Sequence, residues 1–362
     1  MRVGLLGYGL GYRSGTTRFL VNIAKGLAAL GHQPVVVSVY LEQKIVEELE
    51  RYKICYIRKF NNAGILGNLA NWSYSKSRYR KRMMENMLVK AGPLDLIVVI
   101  DDIAINLSEL QISAKKIFII QGDLSLIVLG NDFRKKYRIL SRIFSSKLVK
   151  DIIRHSTLCQ KYDLVIANSN FTRGFMSYLY NAPIKGVVYP PVDQSIFHPT
   201  KPTDSDNPFL LTLLRDEKEE AYKYVQHLAK SNRVIVVGGG KVEGALNVGS
   251  VTDKELVDYY SSATAFVSPS YREWYGYPLA EAISCGTPVL AFNAGGASEL
   301  IQNGVNGWLV YDIKEMAERA KDLLHNRGTK FMKARIVESS HKFSIESSVS
   351  KLLNLASSFD ET

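Results

Sequence analysis

Cysteine is scarce in this chain: three residues in 362, Cys55, Cys159 and Cys285. They form no CxxC pair, and an odd, sparse set excludes a disulfide framework and suits a reducing compartment. No apolar run approaches the length of a membrane span. The most apolar one, "LIVVI", is flanked by Asp95, Asp101 and Asp102. The N-terminus, "MRVGLLGYG", enters a strand and a glycine turn directly, without the basic and apolar regions of a signal peptide. The six histidines are scattered without ligand spacing, so no metal site is expected. A Walker A sequence is absent, and no Ser, His and Asp arrangement is legible. Gly7 and Gly9 begin a dinucleotide fingerprint, but its third position is Tyr12 and no acidic residue ends the second strand. That disfavours hydride transfer.

Much is present. Apolar residues make up 46% of the chain and charged residues 22%, a globular composition of a length that suits two domains. The net charge of +11 suits anionic partners: nucleic acid, acidic lipid headgroups or phosphorylated small molecules. Five basic residues, Lys76, Arg78, Arg80, Lys81 and Arg82, fall in seven positions. A second run, "RKKYRILSRIFSSKLVKDIIRH", spaces Tyr137, Leu140, Phe144 and Leu148 as a helix does. Each run reads first as a solvated helix face and second as a patch facing phosphate or an anionic membrane.

The first forty residues read as strand, glycine loop, helix and strand. Phe19, Leu20, Ile23, Leu27 and Leu30 form the helix's apolar stripe, and Gly31 stops it. Such a βαβ unit implies a parallel sheet. "LDLIVVI", "KKIFIIQ" and "YDLVIANS" are further buried strands whose carboxyl ends line the edge where α/β proteins place ligands. The segment "VVYPPVDQSIFHPTKPTDSDNP" holds five prolines and reads as a linker. A second alternating series follows it, then a helical tail. The expected domains are 1–190, 191–340 and a returning helix over 341–362.

Two stretches carry the chemistry. In the first, "GYGLGYRSGTT", Gly7, Gly9, Gly11 and Gly15 are expected to form a long loop that lets backbone and a helix N-terminus approach a phosphate or sugar. In the second, "SPSYREWYGYPLAEAISCGTPV", Pro278 fits the first turn of a helix. Glu273 then lies on the preceding loop, and Glu281 is expected in the helix's first turn. A glutamate in a helix is ordinarily a solvated surface residue; this helix is otherwise apolar, which favours a functional carboxylate. Carboxylates accept paired hydrogen bonds from vicinal diols. Two at different depths suit two sugars of one ligand, with a diphosphate on the helix-start amides between them. Cys285 reads as a small buried residue, and Glu299 as an N-terminal-turn helix residue.

Glu273, seven residues, Glu281, then "SCGTPV" and "NAGGASELIQNGVNGWLV", resemble glycosyltransferase family 4, the retaining GT-B enzymes of the glycosyl transferases group 1. "YDLVIANSNFTRGFM", "VVYPPVDQSIFHP" and "GSVTDKELVDYYSSATAFVSPS" also resemble that family. The likeness covers the first forty residues and nearly all of 162–310, and is weaker over 41–160. It implies an α/β GT-B fold: two Rossmann-like, doubly wound parallel-sheet domains facing a central cleft, with the acceptor on the first and the donor on the second.

The resemblance further implies that Glu281 holds the ribose of a nucleoside-diphosphate sugar and Glu273 faces the donor sugar. Tyr275, Gly276, Tyr277 and Pro278 bind the donor, the glycine and proline forming the turn that lets backbone amides reach its diphosphate. Arg215 and Lys218 are its cationic partners, and Gly15 faces the phosphate or sugar. Asn168 and Ser169 end a strand facing the cleft. Two departures stand out. The basic pair is usually more widely spaced, and the family's histidine after a central strand is replaced by Gln121 and Asp123. Gln121 is then a hydrogen-bond partner for a sugar hydroxyl, and Asp123 orients the acceptor or takes its proton. The implied reaction is metal-independent, cofactor-free sugar transfer to an acceptor hydroxyl with retention, in cell-surface, lipid-linked or protein-linked glycan synthesis. The expected partners are the nucleotide sugar, a carbohydrate or lipid-linked acceptor and an anionic membrane surface, in a cytoplasmic or peripheral-membrane setting. The alternatives are a non-catalytic sugar-nucleotide-binding subunit and a nucleotide-sugar epimerase or hydrolase. Nucleic acid ranks last, since the basic runs lack interleaved stacking residues.

Overall fold

Strands buried on both faces need an apolar residue at nearly every position, and that pattern builds both sheets here. In this computed structural model, residues 1–11, 14–60, 77–100, 102–109, 111–122, 150, 152–201, 207–215, 221–326 and 332–358 are described. They fall into two compact units, Met1–Pro191 with Ser348–Thr362, and Val192–Ser347.

The first unit holds β1 (Arg2–Leu10), β2 (Gln33–Leu41), β3 (Cys55–Phe60), β4 (Leu96–Val99), β5 (Lys115–Ile120), β6 (Leu164–Ala167) and β7 (Gly186–Val187). They are ordered β3-β2-β1-β4-β5-β6-β7, and every pairing is parallel. The order reverses between β1 and β4, the topological switch point at which such sheets bind ligands. The helix Gly15–Ala29 buries Phe19, Leu20, Ile23 and Leu27 completely. Gly31, at φ 78°, terminates it, with His32 N donating to Leu27 O at 3.0 Å. Leu30, expected on the apolar stripe, lies past the helix end and is 49% exposed.

The expected long glycine loop is shorter than its sequence suggested. β1 runs on through Leu10, and the helix starts at Gly15. Gly7 is therefore a packing residue: an added Cβ would lie 2.8 Å from the Leu10 side chain and 3.4 Å from Leu20. The helix Ile345–Ser357 carries the chain's end onto this sheet. There Ser348 Oγ donates to Tyr189 O at 2.8 Å and Lys115 Nζ donates to Ala356 O at 2.5 Å.

The second unit repeats the plan with β8 (Leu210–Leu214), β9 (Val234–Gly238), β10 (Leu246–Gly249), β11 (Ala265–Ser268), β12 (Val289–Phe292) and β13 (Gly307–Val310). They are ordered β10-β9-β8-β11-β12-β13, again all parallel, with the switch between β8 and β11. The first part of this unit is not the open linker its prolines suggest. Val192 and Phe197 are buried, Val192 N donates to Phe343 O, and Asp193 Oδ1 accepts from Ser195 N and Oγ.

A capping box starts the helix Asp253–Ser262: Thr252 Oγ1 accepts from Glu255 N at 3.3 Å, and Glu255 Oε2 accepts from Thr252 N at 2.7 Å. The Thr252 amide first, and its hydroxyl second, hold the Glu255 carboxyl below its ordinary value. A carboxylate depressed in the folded state stabilises above its unfolded value and loses that contribution as pH falls through the folded one. Glu255→Ala should therefore melt below wild type at neutral pH and converge on it under acid conditions. Parallel thermal melts between about pH 7 and pH 3 check this.

Candidate functional site

In the second unit the switch-point strands β8 and β11 are neighbours, pairing Leu210 with Ala265 and Leu211 with Phe266. Their carboxyl ends open side by side. β8 delivers Arg215, whose side chain is exposed, and β11 delivers the loop 269–276. Lys218 lies outside the described residues, as does Asp123. The loop enters the helix Tyr277–Ser284 through Gly276, which is left-handed at φ 99°. A Cβ there would also lie 2.6 Å from Leu279 Cδ1, so a side chain at this left-handed position would be strained and would displace that leucine. Pro278 sits in the first turn, as its missing N–H predicts. Tyr275 is buried and packs edge-on against Tyr277, with ring centroids 5.7 Å apart.

Six of the expected residues, Glu273, Tyr275, Gly276, Tyr277, Pro278 and Glu281, thus belong to one loop and one helix. Glu273 is half-buried on the loop. Glu281 is in the helix's second turn rather than its first, because the helix begins at Tyr277, and it is 3% exposed. Its Oε2 accepts from Tyr260 Oη at 3.2 Å, and Tyr260 is itself fully buried. Sequence reasoning missed Tyr260; only its place on the inner stripe of the preceding helix signals it. Burial first, and the negative charge of Glu281 second, push the Cys285 thiol up, which leaves it protonated and inert. A carboxylate this deep in an apolar helix carries a large desolvation cost unless hydrogen-bond donors face it, which is the property of a binding group.

In the first unit, Gln121 and Asn168 follow β5 and β6 and touch each other. Asn168 Nδ2 donates to Gln121 O at 2.9 Å and approaches Gln121 Oε1 at 3.4 Å. Gln121 Nε2 and Asn168 Oδ1 are buried with no hydrogen-bond partner. One unsatisfied donor and one unsatisfied acceptor suit a hydroxyl, which needs both. Ser169 is not available for a ligand. Its hydroxyl caps the helix Asn170–Tyr180, accepting from Thr172 N at 2.9 Å and donating to Thr172 Oγ1 at 2.8 Å. Gly15 is the first residue of its helix and is exposed. Among the described residues no group of three His, Cys, Asp or Glu is placed to hold a metal, and no helix is long and apolar enough to cross a membrane. The basic runs over 76–82 and 134–155 fall largely outside the residues whose side chains are described.

The family model "Glycosyl transferases group 1" matches residues 194–343, the stretch that holds Arg215, Glu273 and Glu281. Residues 194–343 belong to that family. Two curated relatives are D-inositol 3-phosphate glycosyltransferases. That of Xylanimonas cellulosilytica is 28% identical over 186 residues, covering 41% of this chain and 45% of that protein. That of Frankia alni is 30% identical over 186 residues, covering 40% and 46%. The chain thus matches less than half the length of these relatives. Among solved structures, a sucrose-phosphate synthase from Thermosynechococcus elongatus superposes with a TM-score of 0.75 at 16% identity, covering 99% of both chains. Anabaena HepE in complex with UDP-glucose gives 0.74 at 18% identity, covering 99% of this chain and 100% of that one. The fold is GT-B.

Proposed function

We propose that this chain is a retaining glycosyltransferase that moves a sugar from a nucleoside-diphosphate sugar to an acceptor hydroxyl. One observation carries the reading: Glu273 and the buried Glu281 bracket a left-handed glycine and a helix start at the switch point of a group 1 domain. Glu281 accepts from the two ribose hydroxyls. The helix-start amides and Arg215, with Lys218, face the diphosphate, and Glu273 accepts from the donor sugar's hydroxyls. Support for a uridine nucleotide comes from Anabaena HepE, which was solved in complex with UDP, with UDP and glucose, and with UDP-glucose.

The bond from the anomeric carbon to the diphosphate oxygen breaks as the acceptor oxygen bonds to that carbon on the same face. The acceptor's proton passes to the leaving diphosphate oxygen. Catalysis is then electrostatic clamping of the developing diphosphate charge, and it needs no protein base. Gln121 and Asn168 supply a donor and an acceptor to a sugar or acceptor hydroxyl where the family usually has a histidine.

The test is a panel of nucleotide sugars and free nucleotides scored by thermal shift, followed by transfer assays and NMR of the product's anomeric proton. The expected result is a shift with a nucleoside-diphosphate sugar and a product that keeps the donor's anomeric configuration. Donor alone converted to an isomeric nucleotide sugar would make the protein an epimerase, and binding without turnover against any acceptor would make it a binding subunit.

A further inference from the structure

Two pairs of glycines flank the switch point of the second unit in the same relation to its two loops. Gly295 and Gly296 follow β12, the neighbour of β11. Gly295 has φ 57°, and a Cβ on it would lie 2.1 Å from Glu273 O. A Cβ on Gly296 would lie 2.5 Å from Tyr275 Cα and 2.6 Å from Trp274 O, and Gly296 N donates to Glu273 O at 2.8 Å. On the other flank, Gly238 ends β9, the neighbour of β8, and Gly239 follows it. Cβ atoms on them would lie 2.1 Å from Leu214 O and 2.5 Å from Arg215 O, and Gly240 N donates to Leu214 O at 3.2 Å. Each pair is pressed backbone to backbone on the carboxyl end of a switch-point strand or the residues that follow it. Other left-handed glycines differ: a Cβ on Gly31 or Gly249 would meet nothing within 4 Å, so those serve their turns alone.

We infer that Gly295–Gly296 and Gly238–Gly239 are positioning residues that hold the loops bearing Glu273 and Arg215 at the height the donor's sugar and diphosphate require. A loop is ordinarily the most mobile part of a sheet edge. Here the Glu273 carbonyl is fixed by a hydrogen bond and by contact too close for any side chain. The carboxylate and the following amides are therefore placed from β12 and not by the loop's own packing. A methyl group on either pair pushes backbone, which has no rotamer with which to yield. A displacement of about 1 Å at such a site costs on the order of a hundredfold in rate. The consequence for donor binding rests on the function proposed above; the backbone seating does not.

The experiment compares Gly295→Ala, Gly296→Ala and Gly239→Ala with Gly307→Ala in the full chain. Gly307 is a matched control: its Cβ would meet Val289 O at the same 2.1 Å, but at the amino-terminal start of β12 and β13, away from the site. Amide hydrogen exchange is measured without ligand, and UDP affinity by calorimetry. Gly295→Ala and Gly296→Ala should speed exchange over 272–277 and weaken UDP by about tenfold or more, the effect of a shift of about half an ångström where 1 Å costs about a hundredfold. Gly239→Ala should weaken UDP while leaving 272–277 as in wild type. Gly307→Ala should lower the melting temperature and leave both readouts of the folded protein unchanged.

If Gly295→Ala does not fold, Gly296→Ala, whose φ is ordinary at −67°, carries the same test. Wild-type exchange over 272–277 in the folded variants overturns the inference, as does a Gly307→Ala that loosens that segment equally. Should wild-type protein bind no nucleoside diphosphate, the donor reading fails while the exchange comparison still decides the seating.

Discussion

Glu281→Gln should remove most of the affinity for UDP while leaving the unliganded protein folded. The carboxylate is 3% exposed and accepts a hydrogen bond from Tyr260 Oη at 3.2 Å. Hydrogen bonds to a charged group contribute about 1.5–3 kcal/mol each, and a vicinal diol makes two. An amide of the same shape accepts at one atom only and presents a donor to the second hydroxyl. A loss on the order of 10²–10³ in Kd follows. The unliganded protein behaves differently, because a buried carboxylate held for a ligand is a cost to the empty fold. Its neutral isostere should melt at or above the wild-type temperature, and only the shift induced by UDP should disappear. Calorimetry of UDP binding beside melts with and without UDP checks both halves. A variant that melts well below wild type yet binds UDP normally would make Glu281 a structural residue. Tyr260→Phe should show a smaller loss of affinity, since it removes the group that hydrogen-bonds Glu281 and not the carboxylate proposed to meet the ribose.

What the sequence revealed of this architecture follows from burial. β2, β4, β6 and β12 are buried along nearly their whole length, and their continuous apolar runs are legible without any partner. The strands that escaped notice are β3, β7 and β10, all at sheet edges. "CYIRKF" holds two adjacent charges and is partly exposed throughout, Gly186–Val187 has two residues, and "LNVG" is half exposed, so none carries a strong pattern. The length of the first glycine loop was misjudged because glycine suggests a turn, whereas Gly7 and Gly9 lie within β1, Gly7 as a residue small enough to pack.

At the site, local signals sufficed for one loop and one helix, because Gly276, Pro278 and the two glutamates are only a few residues apart. Contacts between distant segments were not legible. Neither the Tyr260–Glu281 hydrogen bond, 21 positions apart, nor the Gln121–Asn168 contact, 47 apart, leaves a spacing rule behind. Gly295 and Gly296 stood in the sequence as a motif, but their function as a seat for Glu273 needs the backbone of both loops.

Glu273→Gln should give the opposite kinetic signature to Glu281→Gln. Glu273 is half-buried on a loop whose carbonyl is held by Gly296 N at 2.8 Å, so the side chain can change while the backbone stays. UDP lacks the sugar that this carboxylate is proposed to hold, and the variant should bind UDP within about threefold of wild type. Transfer should slow on the order of 10²–10³, the size of effect expected when one preorganised electrostatic partner of a transition state is lost. That partner acts on positive charge developing at the sugar ring, so the loss should fall on kcat more than on KM. Steady-state kinetics with the donor found in the nucleotide-sugar panel, beside UDP calorimetry, separates the outcomes. Equal losses of UDP affinity in both variants would mean that the two carboxylates share the nucleotide, and the division into a sugar end and a ribose end would fall. A Glu273→Gln enzyme with wild-type turnover would move the sugar contact elsewhere on the loop. With the expected pattern, eight positions of sequence across one left-handed glycine separate two functions: Glu281 fixes the nucleotide from within the helix, and Glu273 stabilises the sugar as its bond to the diphosphate breaks.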